Sequence, residues 1–419
     1  MRQRQATALL VLLGAAILIN YVDRGNLATA ATLIKAELRI TPAELGFLLT
    51  AFFITYVPMQ PVVGWLVEHF GASRVLVTGF IVWSFATILT GLVSGFAALF
   101  ACRLLLGVGE SVSFPATAKL LCENVDEERR GLANGITQAG IYFGPAFGVF
   151  FGGMLTAAFG WRLFFVGFGA VSVLWALAWL AFAHHRVRRT EAARHADVVP
   201  MGLILREPSL WGASIGHFCG NFVLYFNTSW IPYYLVHERH WSLPQMAMIG
   251  GAAYLVSGSS AIVTGWVADR GIRSGASPTA ARKWCWATGG VGLAVCLIGV
   301  GFSDNNVASA IWLIAGGLFT GAFSVNTFVV AQVMAGPAAA GRWAGMQNFL
   351  ANIAGLIAPA LTGVLVQITG SFKLPFTIEA AVALLGAAAW VFLTGPLVGI
   401  DWNARSRHRL ALRSSVGGL

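Results

Sequence analysis

Residues 7–33 read TALLVLLGAAILINYVDRGNLATAATL, an apolar run that is long enough to cross a lipid bilayer. A membrane-spanning helix needs about 20 predominantly apolar residues. Two neighbouring charged residues, Asp23 and Arg24, interrupt the run. The run is too long for a signal-peptide core and no small-residue cleavage site stands out after it, so we expect an uncleaved first helix with charge inside the membrane.

Eleven further apolar segments follow, so that the sequence predicts twelve membrane spans. A spanning β-strand would be about ten residues long with strict alternation, and the long continuous runs therefore predict helices rather than a barrel. We number the segments spans 1 to 12 and predict them at 7–33, 43–67, 75–96, 98–121, 130–156, 160–183, 209–236, 245–267, 284–302, 308–334, 343–368 and 375–397.

The composition agrees with a membrane protein and excludes several other classes. Of 419 residues, 57% are hydrophobic and 11% are charged, and the net charge is +10. A soluble globular chain carries about 25% charged residues, so a soluble enzyme, a disordered chain and a nucleic-acid-binding domain are excluded. The five cysteines show no CxxC or His-paired spacing, which suggests neither a metal site nor a disulfide framework.

The longest polar interval between spans, residues 184–208, divides the spans into two sets of six. The sequence GWLVEHFG at 64–71 follows span 2, and the similar GWVADRG at 265–271 follows span 8, the second span of the second half. This repeat supports a duplication. We predict an all-α integral membrane protein with an N-terminal six-helix bundle at 1–183, a linker at 184–208, a C-terminal six-helix bundle at 209–400 and a basic tail at 401–419.

Basic residues are distributed unequally between the two membrane faces. The face with both termini and the linker carries 20 Lys and Arg residues, and the opposite face carries five. Because Lys and Arg accumulate in cytoplasmic loops, we predict a multi-pass protein of the cell (inner) membrane with both termini in the cytoplasm. The same bias accounts for the net positive charge without a nucleic-acid partner.

Four charged residues lie inside the spans of the first half: Asp23, Arg24, Arg103 and Glu110. Each costs roughly 2.5–3.5 kcal/mol near the bilayer centre, so they must face a wet cavity or pair with each other. Arg24 is the candidate for binding a carboxylate, since a guanidinium stays charged and binds a carboxylate through two hydrogen bonds. Asp23 and Glu110 are the candidates for exchanging protons. The alternative is a structural ion pair of Asp23 or Glu110 with Arg103.

The second half contributes mainly neutral polar side chains, and we expect its one further acid, Glu379, near the outer interface or a helix end. Amide and hydroxyl groups suit a polyhydroxylated or carboxylated ligand, although they also form hydrogen bonds between helices. His217 shares one face of span 7 with two such candidates. The candidate pocket residues of both halves are Tyr56, Gln138, Asn221, Tyr225, Asn348 and Asn352.

Several motifs in the right order resemble the major facilitator superfamily, and within it the anion:cation symporter family. Its cytoplasmic loop motif is matched by Gly64-x-Leu66-x-Glu68-His69-x-Gly71-x-x-Arg74, and the second half retains Asp269-Arg270. The other segments that carry the resemblance are NYVDRGNL at 20–27, RLLLGVGESVSFP at 103–115, GLANG at 131–135, SWIPYYL at 229–235 and QVMAGPAAAGRWAGMQN at 332–348.

The resemblance implies a proton-coupled importer of a small organic anion that works by alternating access. It assigns the substrate carboxylate to Arg24, proton exchange to Asp23 and Glu110, and the tuning of both acids to Arg103. It also implies a monomer in the lipid bilayer, with no metal and no cofactor besides the coupling protons. The conformational latch would comprise Gly64, Glu68, Arg74, Asp269 and Arg270.

Alternatives to this function stay open at the level of the sequence. One is a facilitator, or an efflux or antiport carrier, of an organic anion or an amphipathic compound. An embedded enzyme would need a metal or nucleophile constellation in the spans, and a sensor would usually add a sizeable soluble domain; the sequence suggests neither. The substrate is likewise open among aldonates, hexuronates, aldarates, tartrate and aromatic carboxylates.

Overall fold

The computed structural model describes residues 3–39, 42–186, 199–402 and 404–405, and within these ranges every predicted span is helical. Gly160 has a φ of 78°, which separates spans 5 and 6 inside one long helical stretch. The first-half helices are Gln3–Leu38 (span 1), Pro42–Phe70 (span 2), Ala72–Leu92 (span 3), Phe96–Glu110 and Ser113–Asn124 (span 4), Arg130–Phe147 with the π-helical turn Gly148–Gly152 (span 5), and Gly153–Arg186 (the end of span 5 and all of span 6).

The second half repeats this arrangement after a short helix, Met201–Ile204, in the linker. Its helices are Pro208–Tyr233 with the π-helical turn Tyr234–Glu238 (span 7), Leu243–Arg273 (span 8), Pro278–Phe302 (span 9), Asn306–Ser324 with Ala331–Ala335 (span 10), Gly336–Asn352 and Ala354–Thr369 (span 11), and Lys373–Ala388 with Ala389–Leu393 (span 12). Nine helices of the described ranges are long and apolar enough to cross a membrane on those two criteria alone.

The predicted fold class is therefore confirmed. The domain boundaries stay predictions, because much of the linker and most of the tail, at 187–198, 403 and 406–419, lie outside the described residues.

Local signals explain why the helices of the second half begin where they do. Ser242 and Gln245 form a capping box, in which each side chain bonds the backbone N–H of the other residue. The Asn305 side chain accepts hydrogen bonds from the N–H groups of Val307 and Ala308 at the start of span 10. Pro278 lies in the first turn of span 9, where its missing N–H costs nothing.

The two halves pack in the same pattern. In the first half span 1 packs on span 5, span 2 on span 4, and span 3 on span 6; in the second half span 7 packs on span 11, span 8 on span 10, and span 9 on span 12. Between the halves, span 5 packs along span 8 and span 2 along span 11. Each contact has its counterpart six spans later, as expected for two repeats related by an axis along the membrane normal.

Spans 4 and 10, which are equivalent in this symmetry, are both interrupted. The helix of span 4 stops at Glu110 and resumes at Ser113, and the first helix of span 10 stops at Ser324, before the π-helical turn Ala331–Ala335. Irregular backbone at membrane depth is tolerated where it is buried in protein or lines a cavity. The interruptions therefore predict that both spans face the interior of the molecule.

Glycines allow the halves to touch backbone to backbone near the linker, an end of the molecule that we call the linker end. A Cβ atom on Gly64 of span 2 would lie 2.8 Å from the carbonyl oxygen of Gly341 in span 11. A Cβ atom on Gly265 of span 8 would lie 2.3 Å from the carbonyl oxygen of Gly131 in span 5. Only glycine fits at such distances, so both crossings depend on the absence of a side chain.

The outer surface is apolar, as a lipid environment requires. Ile368 is 76% exposed and Phe392 is 78% exposed, and many other large apolar side chains point outward. A soluble monomer rarely exposes an apolar surface of this extent. The interior, by contrast, holds a series of buried polar and charged groups.

Candidate functional site

The central ionic contact joins span 1 to span 4. Arg24 Nε donates to Glu110 Oε2 at 2.9 Å, between residues that are 86 positions apart. The Glu110 side chain is fully buried and the Arg24 side chain is 12% exposed. Glu110 is the last residue before the interruption of span 4, so its carboxylate lies next to the break in the helix.

Three aromatic rings surround the Arg24 guanidinium. Its Cζ atom lies 4.6 Å from the ring centroid of Tyr21, 5.0 Å from that of Phe52 and 4.5 Å from that of Tyr56. Cation–π contacts with desolvated rings contribute up to about 2 kcal/mol each. The rings therefore hold the cation in place without neutralising it, which leaves its charge available to an anion.

The charged cluster is not saturated with hydrogen bonds. Among the described residues, Arg24 Nη2, Glu110 Oε1, and Nε and Nη1 of Arg103 are buried without a partner. Leaving a buried polar atom without a hydrogen-bond partner costs roughly 1–3 kcal/mol of stability, and more when the atom belongs to a charged group. These atoms are therefore available to a proton, to water or to the oxygen atoms of a substrate.

Asp23 points away from this contact, as neighbouring positions on a helix require. Its carboxylate accepts a hydrogen bond from Thr87 of span 3 at 2.5 Å and one from Asn26 at 3.2 Å. Arg103 Cζ lies 5.6 Å from the Phe52 ring centroid. In the part of the chain that the structure describes, neither acid forms the ion pair with Arg103 that the sequence left open.

A central cavity lies between the two halves, and its roughly 610 Å³ of empty space includes volume open to solvent. Four of the predicted pocket residues line it: Gln138, Asn221, Asn348 and Asn352. Gln138 also crosses between the halves, since its Nε2 donates to the Ser324 carbonyl at 3.0 Å. Several other polar residues line the cavity although they were not among the predicted pocket residues: Tyr21, His217, Thr320, Ser324 and Thr327.

Tyr56 and Tyr225 join the site through hydrogen bonds rather than as lining residues of the cavity. Asn348 Nδ2 donates to Gln60 Oε1 at 2.8 Å and lies 3.3 Å from Tyr56 Oη. Tyr225 Oη donates to Asn352 Oδ1 at 2.6 Å, and Asn352 Nδ2 donates to Asn348 Oδ1 at 2.9 Å. This network extends from span 2 through span 11 to span 7, and its member Gln60 was not predicted.

Tyr21 connects the cavity with the charged cluster. It lines the cavity, and the Arg24 guanidinium lies against its ring. Arg24 itself is not among the residues that line the cavity. An anion in the cavity therefore lies one aromatic ring away from the fixed cation.

Glu379, expected near the outer interface or a helix end, is instead buried. Its side chain is 1% exposed within span 12, and its Oε2 has no hydrogen-bond partner among the described residues. This burial could not be predicted from the sequence, because it results from packing between helices rather than from depth along span 12.

Two acids of the predicted latch bind across the halves at the linker end. Glu68 accepts a hydrogen bond from the Gly341 N–H at 2.9 Å and forms an ion pair with Lys119. Asp269 accepts from the N–H groups of Gly131 and Leu132 at 3.0 and 2.7 Å, in the first turn of the span 5 helix. A carboxylate is favoured there, because a helix N-terminus carries a partial positive charge.

The basic members of the predicted latch do not join these contacts. Arg74 is exposed at the start of span 3, and it takes part in none of the cross-half contacts that the described residues form. Arg270 is exposed too, and its guanidinium lies 5.7 Å from the ring of Trp266 on its own helix. Lys119 and Gln332 cross the halves instead, and the sequence did not predict a role in the latch for either residue.

Gln332 connects span 10 to the first half. Gln332 and Asn134 exchange two side-chain hydrogen bonds, at 2.9 and 3.0 Å. The Gln332 carbonyl accepts from Arg130 Nη1 at 3.2 Å and from the thiol of Cys122 at 3.1 Å. Together with the glycine crossings and the two acids, these bonds close the linker end of the molecule.

Comparison with known proteins identifies the family. Residues 13–280 match the Major Facilitator Superfamily. The chain is 30% identical over 400 residues to a probable sulfoacetate transporter of Cupriavidus necator, covering 91% of this chain and 92% of that protein. It is 28% identical over 399 residues to a hexuronate transporter of Bacillus subtilis, covering 91% of this chain and 93% of the relative. It is also 27% identical over 419 residues to a D-galactonate transporter of Escherichia coli, covering 94% and 96% of the two chains.

The chain belongs to the Major Facilitator Superfamily. It is therefore a multi-pass membrane transporter and not an enzyme, and the relatives match the anion:cation symporter type that the sequence motifs resemble.

Proposed function

We propose that the protein imports a small organic anion across the cell (inner) membrane together with protons, by alternating access. The relatives named above, a probable sulfoacetate transporter, a hexuronate transporter and a D-galactonate transporter, support an organic anion as the substrate. The amide and hydroxyl groups of the central cavity suit a ligand that carries hydroxyl or further acidic groups.

The observation that carries the proposal is the contact between Arg24 Nε and Glu110 Oε2 at 2.9 Å. The Glu110 carboxylate is bound to the Arg24 guanidinium, the cation that a substrate carboxylate would bind. A proton on Glu110 removes its negative charge, and the guanidinium then accepts the anion in its place. Proton and anion thus enter together. Inside the membrane it is unfavourable to leave the Arg24 guanidinium without an anion, and it is also unfavourable to place both the Glu110 carboxylate and the substrate carboxylate beside it.

Asp23 supplies a second protonation site in this scheme. It is fully buried, and its bonds to Thr87 and Asn26 connect span 1 to span 3 rather than to the cavity. A change in its protonation would therefore act on the packing of spans 1 and 3. Arg103 lies within the same cluster and balances the charge of the two acids.

We infer from the positive-inside bias that the linker end lies in the cytoplasm. Because the contacts between the halves close that end, we propose that this is the state in which substrate enters from outside. Release then requires the crossings of spans 2 and 11 and of spans 5 and 8 to separate, as two bundles rock about the central site.

The proposal is tested with purified protein in liposomes supplied with D-galactonate, a hexuronate and sulfoacetate. We expect an inward proton gradient to drive accumulation of at least one of these anions above its equilibrium level. Glu110→Gln should abolish accumulation but leave exchange of preloaded anion, since the variant no longer exchanges a proton. Glu37→Gln, an exposed acid on the same helix as Arg24, is the matched control. Uphill uptake by Glu110→Gln would exclude the coupling role of Glu110. Uptake by the wild type that does not depend on the proton gradient would favour a facilitator or an exchanger.

A further inference from the structure

A second cavity lies between spans 7, 8, 9 and 10 of the second half, with Tyr142 of span 5 also in its lining, and its roughly 700 Å³ of empty space includes volume open to solvent. We call it the side pocket. It adjoins the central cavity, because Tyr142, Leu224, Leu293 and Thr320 line both spaces. The side pocket has no role in the proposed transport mechanism.

The lining of the side pocket is apolar and uncharged. No Asp, Glu, Lys, Arg or His is among the described residues that line it. Two of its hydroxyl groups are already satisfied by their own helices: Ser257 donates to the Ala253 carbonyl at 2.8 Å and Thr320 to the Gly316 carbonyl at 2.9 Å. The Oδ1 atom of Asn227 remains buried without a partner among the described residues, and it offers one hydrogen-bond acceptor.

Glycines on spans 8 and 10 leave this space unfilled. A Cβ atom built on Gly250 would meet no atom within 4 Å, and one on Gly316 would come no closer than 3.5 Å to a neighbour, Cys296 Cβ. Protein interiors are normally packed as densely as organic crystals. An apolar cavity inside such a core stays dry and binds small aromatic or aliphatic molecules.

We propose that the side pocket binds the aromatic or alkyl part of an organic anion whose carboxylate lies in the central cavity. The shared residues supply the connection, and the lack of charge in the lining selects an apolar group. The inference rests on the proposed function only for the carboxylate, and among the substrates that the sequence leaves open it favours carboxylates with an aromatic or alkyl group.

The test compares three probes: butyrate, 4-phenylbutyrate and the uncharged 4-phenylbutanol. Binding is measured on the full-length protein in lipid nanodiscs. The decisive variant is Gly250→Phe, which fills the side pocket. Its matched control is Gly251→Phe, since Gly251 is the next residue on span 8, has equally open space around its Cβ and does not line the pocket.

We expect the wild type to bind 4-phenylbutyrate about tenfold or more tightly than butyrate, because burial of a phenyl ring removes a large apolar area from water. Gly250→Phe should abolish this gain and leave butyrate binding within about twofold, whereas Gly251→Phe should preserve the gain. Equal binding of the two anions by the wild type would overturn the inference, as would equal effects of the two variants.

The two proposals fail in different ways. If the central cavity does not bind the carboxylate, butyrate does not bind and 4-phenylbutyrate binds no better than 4-phenylbutanol. Gly250→Phe still weakens the binding of both phenyl compounds in that case. If the side pocket is wrong, butyrate binds and the phenyl group adds no affinity. If the side pocket is separate from the central cavity, butyrate and 4-phenylbutyrate bind at the same time without competition, which overturns the link between the two spaces.

Discussion

Asn134 and Gln332 are 198 positions apart in the chain, yet their side chains exchange two hydrogen bonds, at 2.9 and 3.0 Å. Asn134 belongs to span 5 and Gln332 to the π-helical turn of span 10, so this pair joins the two halves of the transporter directly. Both residues are buried, at 3% and 1% exposure. The closed state of the linker end therefore depends on an amide pair that water does not reach.

Asn134→Ala should shift the protein toward a state that is open at the linker end. Two hydrogen bonds contribute about 1–3 kcal/mol together, so the opening equilibrium should rise by a factor between about 5 and 150. Cys122, which is buried beside the Gln332 carbonyl, reports the opening through its rate of alkylation by a maleimide. Thr137→Ala is the control, because Thr137 bonds only to its own helix.

The other four cysteines are replaced by alanine for this measurement, so that one thiol reports. An unchanged alkylation rate in Asn134→Ala would contradict the role of the amide pair.

Gly265→Val should prevent closure of the linker end. Its side chain would occupy the place where the Gly131 carbonyl now lies, 2.3 Å from the position of the added Cβ. We expect folded protein with rapid alkylation of Cys122 and with uptake reduced to less than about a tenth, since a carrier held open on one side does not complete a cycle. Gly271→Val, on the same helix with open space around its Cβ, should transport normally. Normal uptake by Gly265→Val would show that the backbone contact is dispensable.

Arg24→Lys should weaken anion binding although it keeps the charge. A lysine lacks the planar fork that bonds Glu110 and stacks against Tyr21 and Tyr56. We expect a loss of affinity of about tenfold or more, measured by thermal stabilisation of the purified protein with a panel of organic anions. Arg162→Lys, at the exposed pair with Glu37, is the control. Full retention of affinity would mean that only the charge at position 24 matters.

Glu37 lies in the last turn of the first helix, beyond the apolar stretch predicted to cross the membrane at 7–33, and it offers a prediction about pH. Its carboxylate accepts hydrogen bonds from Arg162 at 2.9 Å and from the Trp161 ring N–H at 2.6 Å, and these hold the pKa of Glu37 below its usual value. A lowered pKa in the folded state adds stability above the unfolded pKa of about 4.3, and this stability is lost as the pH falls through the folded value.

Glu37→Gln should therefore lower the melting temperature slightly near neutral pH and leave it unchanged in strong acid. The effect belongs to an exposed pair, for which roughly 0–1 kcal/mol is typical. A constant difference across the pH range would show that packing of the side chain, rather than its charge, provides the stability.

The sequence predicted the membrane spans and the four intramembrane charges well, because apolar length and isolated charge are local signals. It could not predict that Glu110 pairs with Arg24, since helix rotation and approach across 86 positions are set by packing. Lys119 illustrates the same limit. It is one of the 20 basic residues that the sequence assigns to the membrane face with the linker, but it is only 3% exposed and forms an ion pair with Glu68.

The latch was predicted in part for a related reason. The acids Glu68 and Asp269 belong to a repeated motif and could be found by comparing the halves. Gln332 sits in an irregular segment of span 10, and only the fold places it opposite Asn134. The sequence shows Gln332 as a glutamine in an otherwise apolar stretch and as the start of a segment that resembles the family, but hydrogen bonding within its own half would have explained it equally well.

The glycine crossings of the linker end have a thermodynamic consequence. A glycine side chain has no rotamers, so bringing Gly64 to Gly341 and Gly265 to Gly131 orders no side chain at these contacts, and separating them frees none. Conformational entropy at the crossings therefore favours neither state. The polar bonds between the halves therefore carry weight in the balance between the two ends of the transport cycle, and a proton or a bound anion that changes one of them shifts that balance.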